Sequence, residues 1–141
     1  MRNKSKADLL LIEIIIAVFF LMISLTVLVQ IFAAARNQSA RAAAETEALA
    51  EAQNVGEVLL KEENTEEYLK NAGFVLSHGV FTKEYGSFSL SVKEELIPKE
   101  AGTLRMDEVR GFYSFMNPDD AHPQNEELFM LPYAVYLSAG L

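Results

Sequence analysis

The chain has 141 residues, half of them apolar, contains no cysteine and carries a formal net charge of −8. That length holds one small domain beside any membrane segment and excludes a large multidomain enzyme. The absence of cysteine excludes a disulfide framework, a cysteine nucleophile and a zinc–thiolate centre.

Charge is unevenly spread. Residues 1–35 carry Arg2, Lys4 and Lys6 against Asp8 and Glu13, so the remainder sums to −9. Such an acidic remainder offers no footprint for nucleic acid or an anionic lipid face, and any charged partner should be basic.

Residues 1–8 form a short basic leader in which Ser5 stands three residues before Asp8, a capping-box spacing that predicts a helix starting near Lys6. Leu9 to Ala35 follows as an apolar run interrupted only by Glu13 near its start and Gln30 near its end, with Ser24 and Thr26 as its hydroxyl residues. A helix needs about 20 such residues to cross the roughly 30 Å hydrocarbon layer, so 9–35 reads as a transmembrane helix. A buried helix of a soluble protein would need more surrounding chain than remains. Ala33 and Ala35 make an A-x-A pattern before Arg36, but the apolar part is far longer than the about 7–15 residues of a cleaved signal core, so an anchor is expected. The three cations ahead of the run place the N-terminus in the cytoplasm and the C-terminal domain outside.

Helical character does not stop at the membrane. Residues 36–66 have no proline, only Gly56 as an interruption, and are rich in alanine, glutamate and leucine. Leu49, Ala52, Val55 or Gly56, and Leu59 recur at three- and four-residue steps and predict one apolar stripe. A parallel coiled coil is the rival for this segment, but the stripe covers only about two heptads where three or four are diagnostic.

From 67 to 141 the period changes to alternation. Phe74–Leu76 and Val80–Phe81 flank the turn-like pair His78-Gly79, and Tyr85-Gly86 marks a second turn. Ser87–Lys93 is the clearest strand, with Phe88, Leu90 and Val92 on one face and serines on the other. Pro98–Gly102 reads as a turn and Thr103–Met116 as one or two strands interrupted around Gly111. Asn117–Glu127 reads as a polar loop, and Leu128–Ala139 as a last strand in which Pro132 signals an edge or a bulge. The expected fold is α+β: a long N-terminal transmembrane helix continuing outside the membrane and packed on a small antiparallel β-sheet.

Little of this points to catalysis. His78 and His122 lie in turn and loop sequence, with no nucleophile and base in a recognisable arrangement, so no enzyme and no cofactor is expected. Asp119, Asp120 and His122, with Glu126 and Glu127, are weak candidates for a cation, but they lack the ligand alternation of a calcium loop and read as solvated charge.

Glu13 is the informative residue. A carboxylate costs on the order of 2.5–3.5 kcal/mol at the centre of a membrane helix, and less near its end. Either it reaches back to the headgroups or is carried as the neutral acid, or a cation on a neighbouring subunit neutralises it. The basic leader followed by Leu9-Leu10-Leu11-Ile12-Glu13 and Ile14-Ile15-Ile16-Ala17-Val18 resembles the N-terminal segment of type IV pilins and pseudopilins. In that family a leader is cut before the apolar segment, the new N-terminus is methylated and a glutamate stands fifth, as Glu13 does counting from Leu9.

The resemblance implies cleavage between Asp8 and Leu9 by a prepilin peptidase, an assembly platform, and other pilin-like subunits contacted through the helix, with Glu13 setting register. Two features depart from the pattern. Asp8 stands where the peptidase takes glycine or occasionally alanine; an uncut leader would leave Lys4 or Lys6 as the charge partners of Glu13. The family's helix-bending proline has no counterpart here. These departures suit a divergent minor pilin or pseudopilin of a type IV pilus-like or type II secretion-type filament. The alternative is a standalone single-pass membrane protein whose acidic outer domain binds a ligand or partner.

Overall fold

The computed structural model describes residues 2–116 and 123–138, with side chains from 5 to 115 and from 124 to 138. Helix α1 runs from Arg2 to Lys61, and a short α2 spans Thr65–Asn71. Five strands follow, β1 Val75–Ser77, β2 Val80–Glu84, β3 Phe88–Lys99, β4 Gly102–Met116 and β5 Pro123–Ser138. They form one antiparallel sheet in the order β1-β2-β3-β4-β5, so each strand pairs with its successor. The architecture is α+β.

By its internal contacts the chain divides into two compact units, Met1–Ala40 and Arg41–Leu141. The described part of the first, residues 2–40, is helix alone. It contains the one stretch among the described residues long and apolar enough to cross a membrane, and none of that stretch is buried against protein. Helix α1 begins at Arg2 rather than near Lys6, so Ser5 lies inside the helix and not at its cap. Residues 2–7 hold no proline or glycine to oppose that extension.

In the second unit, residues 41–61 of α1 lay a stripe of Ala44, Ala48, Ala52, Val55, Gly56 and Leu59 onto the sheet. Leu49, expected on this stripe, is only half-buried, and its place is taken by Ala44 and Ala48. Small side chains let the helix approach closely. Gly56 is the extreme case, since a Cβ there would come within 2.0 Å of Tyr133 Cζ. Leu59 belongs to one core cluster with Leu69, Phe74, Phe81, Phe88, Leu90, Val92 and Val109. The expected alternation of Phe88, Leu90 and Val92 holds, and all three are buried.

Four elements depart from the sequence reading. Residues 67–70 belong to α2 and not to the alternating region, and α2 is capped by Asn64, whose side chain accepts from Glu67 N and donates to Glu67 Oε2 at 2.9 Å. The stretch Pro98–Gly102 is not all turn, because β3 continues to Lys99 and only Glu100 and Ala101 connect it to β4. Gly111 does not interrupt β4; the irregularity is one register step, in which Gly111 faces Phe129 and Phe112 faces Glu127, so Leu128 is the extra residue of a bulge on β5. The missing side chain of Gly111 makes room for Phe129, whose ring would lie 2.5 Å from a Cβ. Finally, Pro123–Glu127 is strand and not loop, because it pairs with Phe112–Met116.

The His78-Gly79 turn is as expected, with φ of 51° and 80° at the two central residues, the pair of positive values a type I′ hairpin requires. Pro132 sits in β5 at one edge of the sheet, opposite Glu108.

Candidate functional site

Three places gather polar chemistry, and the first is Glu13. It projects from an exposed turn of α1 among Leu9 to Phe32, whose large side chains are all exposed. The two hydroxyls of this stretch are satisfied within the helix, Ser24 donating to Phe20 O and Thr26 to Met22 O, both at 2.9 Å. No hydrogen bond or ion pair is made by Glu13 among the described residues. Lys6 lies two turns away, about 10 Å along the helix at about 1.5 Å per residue, beyond the reach of a contact pair on one chain. The side chain of Lys4 lies outside the described residues, as do Asp119, Asp120 and His122. Asp8 and Leu9 are both exposed on the same helix.

The second place is the C-terminal end of α1. Strand alternation puts Arg105 and Asp107 on the same face as Val109, looking toward the helix, and each is 1% exposed. Arg105 Nε donates to Asp107 Oδ2 at 3.0 Å, its Nη1 donates to Glu62 O at 2.9 Å, and its Nη2 donates to Leu59 O. The guanidinium thus takes the carbonyls that a helix leaves without partners at its C-terminus, and its charge faces the negative end of the helix dipole.

Asp107 Oδ1 is buried without a partner. Burial pushes the Asp107 carboxyl up; Arg105 pulls it back, and Glu94 across the strand pair adds to the rise. Thr65 donates its hydroxyl to Glu94 Oε2, joining α2 to the same cluster. Arg105 was not singled out from sequence, although a signal exists: with Val109 placed inward, the period of two carries Arg105 and Asp107 inward as well.

The third place is the sheet. On the face turned from α1, Val80, Ser91, Lys93, Arg110 and Phe112 help line a concavity of about 470 Å³. Arg110 is held there by Glu108 and by Glu127 at 3.3 Å, while Glu126, one residue earlier, points to the helix side and meets Arg41 at 2.7 Å. Of the four carboxylates considered for a cation, Glu126 and Glu127 are therefore occupied by arginines. Among the described residues no three His, Cys, Asp or Glu side chains converge on a position for a metal ion.

Near α2, Lys83 donates to Ala72 O at 2.7 Å and lies 4.8 Å from the Tyr85 ring centre, with burial raising the Tyr68 and Tyr85 phenols. Burial likewise raises Tyr133, with Glu57 adding to it. These groups are spent on holding helix to sheet. No family model, curated protein or solved structure matches the chain.

Proposed function

We propose that the chain is a minor pilin or pseudopilin, a structural subunit of a type IV pilus-like or type II secretion-type filament, without catalytic activity. In this reading Leu9 to Ala35 anchors it in the membrane before assembly, with the N-terminus cytoplasmic, and Glu13 sets the register between neighbouring subunits. The observation that carries the reading is Glu13 itself: a carboxylate on an apolar stretch exposed on every side, with no counter-ion among the described residues. Lateral association supplies both what it lacks and what its neighbours lack, a cation for the carboxylate and cover for the apolar surface.

Asp8 favours a second reading, a single-pass membrane protein with an uncut N-terminus and an acidic outer domain that binds a partner. The intact mass of the protein from its native membrane, with Glu13→Ala beside it in a crosslinking assay, separates the two. The filament reading expects loss of Met1 to Asp8, or a full-length chain whose crosslinks to neighbours disappear in Glu13→Ala. A full-length mass with crosslinking unchanged by Glu13→Ala overturns it.

A further inference from the structure

The two edges of the sheet are unlike. Strand β1 is three residues long, Val75–Ser77, one of the ways an edge is kept from pairing. Strand β5 runs from Pro123 to Ser138 and, among the described residues, has a strand on one side only. Its residues 128–137, LFMLPYAVYL, hold no charge. Apolar residues thus fall on both faces of the strand, and Pro132 at its centre removes one main-chain donor without charging or shortening the edge. Here neither face is fully covered: the residues toward the helix are half-buried, and those on the other face are exposed, Met130 by 47% and Tyr136 by 50%.

Space is available beside this edge. A cavity of about 630 Å³ is bounded by Leu60–Glu63 at the end of α1 and by Val135–Ser138 of β5. Consecutive strand residues point to opposite faces, so a cavity touching four in succession lies along the edge of the strand and not over one face. The helix side of this space is acidic. Among the residues that line it, Glu62 and Glu63 are exposed against one cation, Lys61, and Glu57 lies close enough to act on Tyr133 of β5.

We infer that the free edge of β5 accepts an extended strand from another, basic protein. Main-chain donors and acceptors of β5, other than the nitrogen of Pro132, would supply the affinity, apolar side chains of the incoming strand would extend both faces of residues 128–137, and its cations would meet Glu62 and Glu63. A second copy of this chain is the poorer occupant, because two regions of charge −9 repel. The inference goes beyond the filament reading and does not need it.

The test uses the full chain in non-ionic micelles and a fluorescent peptide of alternating valine and threonine with two lysines at one end. Companion peptides carry glutamates in place of the lysines or a proline at the centre. The lysine peptide is expected to bind at least about tenfold more tightly than the glutamate peptide, the proline peptide not to bind, and the amide signals of residues 128–131 and 133–137 to be the ones that shift.

Ala134→Lys, an exposed edge substitution compatible with the strand, should weaken the lysine peptide about tenfold or more with an unchanged circular dichroism spectrum. Glu62→Lys with Glu63→Lys should reverse the preference toward the glutamate peptide. Absence of binding by every peptide, indifference to charge or to the central proline, or a dimer of the chain itself that Ala134→Lys abolishes would each overturn the assignment.

Discussion

Two stretches of helix α1 share one backbone conformation and differ in everything that decides how they are covered. From Leu9 to Phe32 the apolar side chains are mostly large, point in every direction and are exposed; from Ala44 to Leu59 the buried positions are mostly small and fall on one stripe, with Ala48, Ala52 and Leu59 completely covered. A helix that is apolar all round must be surrounded, by lipid or by neighbours, whereas one with a single stripe needs a single surface. Residue size separates the two cases more sharply than hydrophobicity does. Alanine and glycine give up side-chain area so that the helix can approach the sheet, and Tyr133, set against Gly56, fills the space they release.

If the second stretch is held by the sheet and the first is not, substitutions in the two should differ most where the helix is tied down by its end. Arg105→Ala strips the carbonyls of Leu59 and Glu62 of their donor and leaves Asp107 buried without a counter-ion. Breaking a buried pair in this way costs about 3–5 kcal/mol. Urea unfolding of the full chain in micelles, followed by the near-ultraviolet signal of its tyrosines, should show that loss. Leu25→Ala, on the exposed first stretch, should leave the same transition within about 0.5 kcal/mol. An equal loss from Leu25→Ala would mean that the two stretches are not separately supported.

The close approach itself can be tested next. Gly56→Ala drives a methyl into the Tyr133 ring, and overpacking of this kind costs about 1–3 kcal/mol. Tyr133→Leu should relieve most of that penalty, so the double variant should be more stable than the two single losses predict, by a coupling of about 0.5 kcal/mol or more. Additive losses would show that the contact is not what limits the approach.

Much of this arrangement was legible in the sequence because it is written in periods. The apolar run, the serine alternation of Ser87–Lys93 and the His78-Gly79 turn each state their structure locally. What was not legible depends on partners distant in the chain. Pro123–Glu127 looks like loop because its residues are polar, and it is strand because β4 offers it a ladder. Leu49 looks like core, but the rotation of α1 on the sheet favours Ala44 and Ala48. Asn64 and Glu67 did carry a capping signal that would have found α2. Glu13 was legible as a residue needing an explanation; the cluster at Arg105 was not, since a charged strand residue is normally read as solvated.

The smallest effect distinguishes how the sheet holds the helix from whether it does. The Asp107 carboxyl is raised above its ordinary value of 3.8, first by burial and then by Glu94, with Arg105 opposing. Between 3.8 and that raised value the folded chain holds a proton that the unfolded chain has released, so through this group stability falls as pH rises. Below 3.8 both states are protonated and the contribution is constant; above the raised value both are ionised and the penalty of burying the charge is complete.

Asp107→Asn keeps an oxygen for Arg105 Nε and removes the titration. Its stability relative to the parent, followed by thermal unfolding from neutral to acid pH, should therefore be most favourable at neutral pH and decline as the pH falls and the parent's aspartate protonates. The neighbouring carboxylates Glu62, Glu63 and Glu94 remain in both proteins, so their titration largely cancels in the difference. A difference that grows as pH falls would mean that Asp107 is held as a charge by Arg105, and the pair would then be a counter-ion device at the end of the helix and not a tolerated burial.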